Sequence, residues 1–99
     1  MKKFVVEFSY AAEDELIESI VWGIENWGEQ EAFRWARQFR SETQRKLAVF
    51  PLGLSRAPER EDSVFDIRQL IIGRYRVLFV VNEEIVTILG IRGPYSEQK

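Results

Sequence analysis

The 99-residue chain contains no cysteine and no histidine. The lack of cysteine excludes disulfides and zinc–thiolate sites and is typical of a reducing compartment, so we expect a cytoplasmic protein. The lack of histidine removes the usual general base near neutral pH and the commonest metal ligand, so we expect no metal site. The formal net charge of −2 gives no overall positive field that would attract a polyanion.

Long hydrophobic runs are also missing. No apolar run approaches the ~20 residues that a membrane-spanning helix needs, and the N-terminal segment MKKFVVEF is too short for a signal peptide. We therefore expect no membrane partner. A chain of 99 residues, 45% of them hydrophobic, is predicted to form one globular domain over 1–99.

Hydrophobic periodicity predicts the element order β-α-α-β-β-β. Residues 4–9 are β-branched and aromatic and predict a short strand. Apolar residues at three- and four-residue spacing predict a helix over about 11–27, with Ser9 as N-cap and Gly28 as the stop. A second helix is expected to follow and to end at Pro51. Because the linker has only about two or three residues, the helices should form an antiparallel hairpin.

Each predicted helix has one apolar stripe that should face a sheet. The stripes are Leu16, Ile17, Ile20, Val21 and Ile24 in the first helix, and Ala32, Ala36, Phe39, Thr43, Leu47 and Phe50 in the second. Acidic residues Glu13, Asp14 and Glu15 begin the first helix, and we interpret them as helix-dipole residues rather than metal ligands.

The second half of the chain predicts a loop followed by three strands. The loop is PLGLSRAPERED, and the strands are joined by a two-residue turn at Gly73-Arg74 and a turn at Asn82-Glu83 or Asn82-Glu83-Glu84. The predicted fold class is therefore α+β, with an antiparallel helical hairpin packed on one face of a mostly antiparallel four-stranded sheet.

Strand alternation divides the sheet into two faces. The helix-facing set is predicted to be Leu70, Ile72, Tyr75, Val77, Phe79, Val86 and Ile88, and the opposite, open set to be Ile67, Gln69, Ile71, Arg76, Leu78, Thr87 and Leu89. The open face is apolar except for a predicted polar notch of Gln69, Arg76 and Thr87. A guanidinium in such a notch is suited to a phosphate or carboxylate.

Three further arginines lie in the same apolar segment. Arg68 and Arg92 are expected on the helix-facing side near strand ends, as edge salt bridges or as further target contacts, and Arg74 is expected to be solvated in a turn. On the helices, Trp35, Arg34 and Arg37 lie off the apolar stripe or on a basic face, and they are the predicted contacts for a partner protein.

Several motifs together resemble one family. These are FSYAAEDELIESI, the Trp27-Gly28 break, EAFRWA, the Phe50-Pro51 stop, IRQL followed by GRYRVLFVV, and VTILGIR. In this order, over Phe4 to Arg92, they resemble the RelE/ParE superfamily of bacterial toxins. The resemblance implies a toxin of a type II toxin–antitoxin module, neutralised by a cognate antitoxin and needing no small-molecule cofactor.

The superfamily has two main activities, and the fold does not choose between them. RelE-like members cut mRNA on the ribosome, and ParE-like members poison DNA gyrase. The arginine of the family's YR motif matches Arg76, whereas the positions of the RNases' paired lysines match Ile67 and Gln69. The remaining RNase candidates are Arg92 and Tyr95, with Glu59 or Glu61 as a further base.

The residues therefore favour a ParE-like inhibitor that binds its target through Arg76, Gln69, Arg68 and Arg92. A ribosome-dependent endoribonuclease using Arg76, Arg92 and Tyr95 is the alternative, and an inactive family member that serves only as antitoxin partner or co-repressor is the second. Arginine stays protonated and is a poor general base, which weakens the RNase hypothesis.

Overall fold

The computed structural model describes residues 3–58 and 65–94. The elements are β1 (Val5–Phe8), α1 (Tyr10–Trp27), α2 (Glu29–Val49), a 3-10 turn (Pro51–Gly53), β2 (Arg68–Ile72), β3 (Tyr75–Asn82) and β4 (Ile85–Arg92). The predicted order β-α-α-β-β-β is confirmed. No helix in these two ranges is both long and apolar enough to span a bilayer.

The four strands form one sheet in the order β1-β4-β3-β2. The two hairpins β2–β3 and β3–β4 are antiparallel, whereas β1 pairs with β4 in parallel. A parallel pair needs a long connection between its strands, and here the helical hairpin, β2 and β3 lie between β1 and β4 in the chain. The sheet is therefore mostly antiparallel, as predicted.

The helical hairpin turns on a single glycine. Ser9 caps α1, because its Oγ accepts a hydrogen bond from the N–H of Ala12 at 3.1 Å. Gly28 alone separates α1 from α2, with φ 99°, and its N–H donates to the carbonyl of Ile24 at 3.1 Å. The predicted linker of about two or three residues is thus one residue, because the positive φ of glycine reverses the chain without further residues.

The core lies between the hairpin and one sheet face. Six of the predicted helix-facing residues are buried there and Ile72 packs against them; the six are Leu70, Tyr75, Val77, Phe79, Val86 and Ile88. From α2, Ala32, Ala36, Phe39, Thr43 and Leu47 are buried, as predicted. The prediction was wrong for Phe50, which is 67% exposed because the chain leaves the helix there and its ring lies against Gly53.

The stripe predicted for α1 is rotated in the structure. The buried residues are Ala12, Leu16, Ser19 and Gly23, whereas Ile17 is 51% exposed and Val21 is 48% exposed. Small residues let the helix approach its neighbours closely; a Cβ added to Gly23 would lie 3.1 Å from the Cβ of Ala32. Of the predicted stripe, Leu16 is buried and Ile20 packs against the core, whereas the prediction was wrong for Ile17 and Val21, because the close approach buries the face with small side chains.

The first predicted turn is confirmed and the second is shifted. Gly73 and Arg74 connect β2 to β3, with Gly73 at φ 59°. Asn82 remains in β3 and pairs with Ile85, so the second turn consists of Glu83 and Glu84, with Glu83 at φ 58°. Both turns have two residues and a left-handed first position, the geometry that matches the twist of a hairpin.

The loop after α2 covers part of the open face. Residues 55–57 run beside β2, where the N–H of Ala57 donates to the carbonyl of Ile67 at 2.8 Å. Ala57, Ile67 and Leu78 are buried together in a second, smaller apolar cluster. The open face is therefore a partly covered surface, with its apolar end under the loop.

Candidate functional site

The candidate site is the part of the open sheet face around Arg76. Arg76 pairs with Ile71 across β2–β3, and Gln69 pairs with Leu78 two positions along. The two polar side chains are diagonal neighbours on one face, and Arg76 Nη1 donates to Gln69 Oε1 at 2.9 Å. Arg76 thus projects away from the helices, where alternation predicted it.

Thr87 does not belong to this polar notch. It pairs with Val80, four residues along β3 from Arg76, which is a separation of about 13 Å. The prediction was wrong because face and position are separate properties. Alternation assigns a residue to a face, but only the strand register says which neighbours it has on that face.

Arg92 lies directly opposite Arg76 in the β3–β4 ladder, which puts it on the open face. The prediction of a helix-facing Arg92 was wrong because of a β-bulge. Leu78 pairs with Gly90 and Phe79 pairs with Ile88, so Leu89 is an extra residue in β4. One extra residue reverses the alternation of everything beyond it.

The guanidinium of Arg92 turns to the outer edge of β4 and meets Glu15 of α1. Arg92 Nη1 lies 3.0 Å from each oxygen of the Glu15 carboxylate, and the N–H of Ile91 donates to Glu15 Oε1 at 2.6 Å. A Cβ on Gly90 would lie 2.7 Å from Arg92 Nη1 and 3.0 Å from Glu15 Oε1. Gly90 therefore leaves the room in which this contact forms.

Glu15 completes the edge of β4 where β1 has ended. The parallel ladder stops at Phe8 and Ile88, and beyond it Ser9 Oγ donates to the carbonyl of Leu89 at 3.3 Å. Glu15 then accepts from the N–H of Ile91. Sequence reasoning interpreted Glu15 only as a helix-dipole residue, and no local signal marks a contact with a residue 76 positions away.

The structure does not bring Arg68 to the site. Arg68 pairs with Phe79 on the helix-facing side, as predicted. Its Nη1 donates to the carbonyl of Leu54 at 2.7 Å, its Nη2 lies 3.4 Å from Asp66, and its side chain is only 17% exposed. Through these contacts Arg68 binds the segment after α2 to β2 at the sheet edge, and it does not face the site. Arg74 is exposed in its turn.

The predicted partner contacts on α2 differ in exposure. Trp35 is half-buried against the core, with ring centroids 5.3 Å from Phe39 and 5.2 Å from Tyr75. Arg34 and Arg37 are exposed, and Arg34 Nη1 donates to Glu31 at 2.8 Å. A surface recess is lined by Trp27, Glu31, Arg34, Trp35 and Gln38. Trp35 is therefore only partly available to a partner.

The site can bind anions but offers little for proton transfer. A guanidinium beside a side-chain amide donates several hydrogen bonds, and neither group takes up a proton at neutral pH. The ladder adds a second guanidinium, Arg92, with its carboxylate partner. The remaining predicted RNase residues, Tyr95, Glu59 and Glu61, lie outside the described residues.

Comparison with known proteins identifies the fold. No protein-family model matches the chain, and no curated protein matches it in sequence. The similar solved structures include the chromosomal ParDE toxin–antitoxin system from P. aeruginosa, with TM-score 0.75 and 15% identity over 91% of this chain and 95% of that one. They also include the toxin–antitoxin complex RelBE2 from Mycobacterium tuberculosis, with TM-score 0.68 and 19% identity over 97% of each chain. The protein has the RelE/ParE fold that its motifs predicted.

Proposed function

We propose that this chain is the ParE-like toxin of a type II toxin–antitoxin module. In this proposal it inhibits growth by binding DNA gyrase through the open sheet face, and a cognate antitoxin neutralises it. The proposal is supported by the fold shared with chains of the ParDE and RelBE2 complexes. The observation that carries the choice of activity is the Arg76–Gln69 pair on the open face, where the described residues beside it supply no group that exchanges a proton at neutral pH.

The pair favours binding over cleavage for a chemical reason. RNA cleavage needs one group to take a proton from the 2′-hydroxyl and another to protonate the leaving oxygen. Ile67 and Gln69 occupy the positions that match the RNases' paired lysines, and Ile67 is buried beside Ala57. A fixed cation with an amide neighbour is instead suited to hold a carboxylate or phosphate.

One observation favours the RelE-like alternative. The ladder places Arg92 directly opposite Arg76, so two of the three residues predicted for an RNase are adjacent in space. In that alternative Arg76 stabilises the charge of the phosphorane, and Arg92 or Tyr95 assists.

Expression in cells without antitoxin separates the hypotheses. Gyrase poisoning induces an SOS reporter and double-strand breaks, whereas ribosomal cleavage stops translation and leaves cut messages. Normal growth would indicate the inactive alternative. With purified protein, we expect stabilised gyrase–DNA cleavage complexes and no cutting of mRNA on ribosomes. Cut messages without an SOS response would refute the gyrase proposal.

Arg76→Ala tests the site within this assay. We expect it to lose toxicity while retaining the thermal stability of the parent to within a few degrees. Arg74→Ala is the matched control, because Arg74 is an exposed arginine two residues away in the turn. Full gyrase poisoning by Arg76→Ala would contradict the assignment of the open face as the target-binding surface.

The antitoxin surface is proposed to include Trp35, Arg34 and Arg37. Arg37→Glu should weaken antitoxin binding because it reverses the charge at a proposed contact. The fold should be unaffected because Arg37 is exposed. Arg45→Glu, on the same helix and equally charged, is the control. Calorimetry with the antitoxin encoded by the neighbouring reading frame measures the difference. Equal losses for the two variants would show a general charge effect instead of a contact.

A further inference from the structure

At the end of β4, a guanidinium and a backbone N–H form a set of hydrogen-bond donors suited to an anion, and the Glu15 carboxylate of the same chain binds to them. Arg92 Nη1 and the N–H of Ile91 converge on Glu15, at 3.0 Å and 2.6 Å respectively. A guanidinium and a backbone N–H directed at one oxyanion are the donors with which proteins bind carboxylates and phosphates of other molecules. The site is therefore already observed with a carboxylate bound.

This donor set adjoins Arg76. Arg92 and Arg76 are directly paired residues, so their Cβ atoms lie about 5 Å apart on the open face. Two cations in that position repel each other. Arg76 bonds Gln69 on the β2 side, whereas Arg92 bonds Glu15 at the opposite edge. Glu15 thus draws the second cation of the open face away from the first.

We propose that Glu15 is an internal competitor for Arg92, and that a carboxylate of an acidic segment of the target protein displaces it and binds between Arg92 and Arg76. The inference rests on the proposed target-binding role of the open face and adds its regulation. Glu15 is a positioning residue here, since it acts through Arg92. A carboxylate, and not a phosphate, is chosen because the donors hold a carboxylate in the structure.

The exposure of the ion pair makes displacement feasible. The Arg92 side chain is 46% exposed and that of Glu15 is 35% exposed. Solvent screens an ion pair of this kind. The charge attraction therefore favours the arrangement with Arg92 bound to Glu15 by only about fivefold or less. An external carboxylate that contacts both guanidiniums gains a second charged contact that Glu15 does not make, which is enough to reverse such a preference.

Glu15→Gln tests the proposal, because glutamine retains an oxygen for the N–H of Ile91 and loses the charge that holds Arg92. Glu13→Gln is the matched control. It makes the same exchange in the same helix and removes the same charge, but Glu13 pairs with Arg40 at 2.5 Å. The probe is acetyl-hexaglutamate amide, and binding is followed by NMR through the arginine Nε–H signals and the Ile91 amide.

We expect Glu15→Gln to bind the acidic peptide about twofold to fivefold more tightly than both the parent and Glu13→Gln. Adding Arg92→Ala should remove this gain. Arg92→Ala alone should weaken binding less than it does in the Glu15→Gln background, because in the parent the peptide must first displace Glu15 from that arginine. Equal affinities for Glu15→Gln and Glu13→Gln would overturn the proposal, as would an equal loss from Arg92→Ala in both backgrounds.

Two further measurements keep the proposal testable. In the unaltered protein, saturating peptide should shift the Ile91 amide signal as Glu15 leaves, and an unmoved signal would overturn the proposal even if Glu15→Gln fails to fold. Glu15→Gln should increase the affinity for hexathymidylate, which has a similar charge, less than it increases the affinity for the peptide. An equal or larger increase for hexathymidylate would overturn the choice of a carboxylate. The SOS and gyrase assays judge the toxin proposal separately, since peptide binding needs neither gyrase nor toxicity.

Discussion

Thr43 offers a test of the core that depends on a single atom. It is fully buried on the apolar face of α2, and in the part of the chain that the structure describes its Oγ1 has no hydrogen-bond partner. A buried hydroxyl without a partner lowers stability by about 1–3 kcal/mol. Valine has nearly the same shape and a similar helix propensity, so Thr43→Val replaces the hydroxyl with a methyl group at little other cost.

We therefore expect Thr43→Val to raise the free energy of unfolding by about 1 kcal/mol or more. For a domain of this size, that corresponds to a rise in Tm of about 4–8 °C. Urea unfolding followed by tryptophan fluorescence measures the change, since the chain has 3 tryptophans. The dependence of the free energy on urea concentration should stay unchanged, because the exposed area on unfolding is the same.

Thr43→Ser is the matched control, since it keeps the hydroxyl and removes only the methyl group. It should lower the free energy of unfolding by about 1 kcal/mol through lost burial and a small cavity. If Thr43→Val is no more stable than the parent, the hydroxyl has a partner, such as the carbonyl of Phe39 four residues earlier, and the reasoning is refuted.

Three further substitutions test contacts described above. Tyr75 donates to Ser19 Oγ at 2.9 Å in the core, so Tyr75→Phe and Ser19→Ala should each cost about 1–3 kcal/mol, and urea unfolding should show the double variant losing less than the sum. Glu83 has φ 58°, a conformation that costs a non-glycine residue about 1–2 kcal/mol, against about 0.5–1 kcal/mol of extra chain entropy lost by glycine. Glu83→Gly should therefore raise stability by about 0.5–1 kcal/mol in the same assay, and a loss would contradict a strained turn. Gly90→Ala should push Arg92 from its partner and speed hydrogen exchange at the Ile91 amide; unchanged exchange would contradict the packing described here.

Local patterns in the sequence were sufficient for the elements and for most of the core. The cap at Ser9, the break at Gly28 and the glycine-first turn at Gly73 depend on the preferences of one to four neighbouring residues. The helix-facing set of the sheet follows from strict alternation within single strands. The motif resemblance added the RelE/ParE fold, which two structural matches support.

Only the tertiary structure decided what surrounds Arg76. The bulge at Leu89 moved Arg92 to the open face, and the register removed Thr87 from the notch. Close helix packing at Gly23 rotated α1 and left Ile17 exposed. Strand pairing and helix rotation depend on contacts between distant segments, for which spacing along one chain carries no signal. The local sequence therefore determined that Arg76 projects from an apolar face, and long-range packing determined that a second arginine and a glutamate from α1 stand beside it.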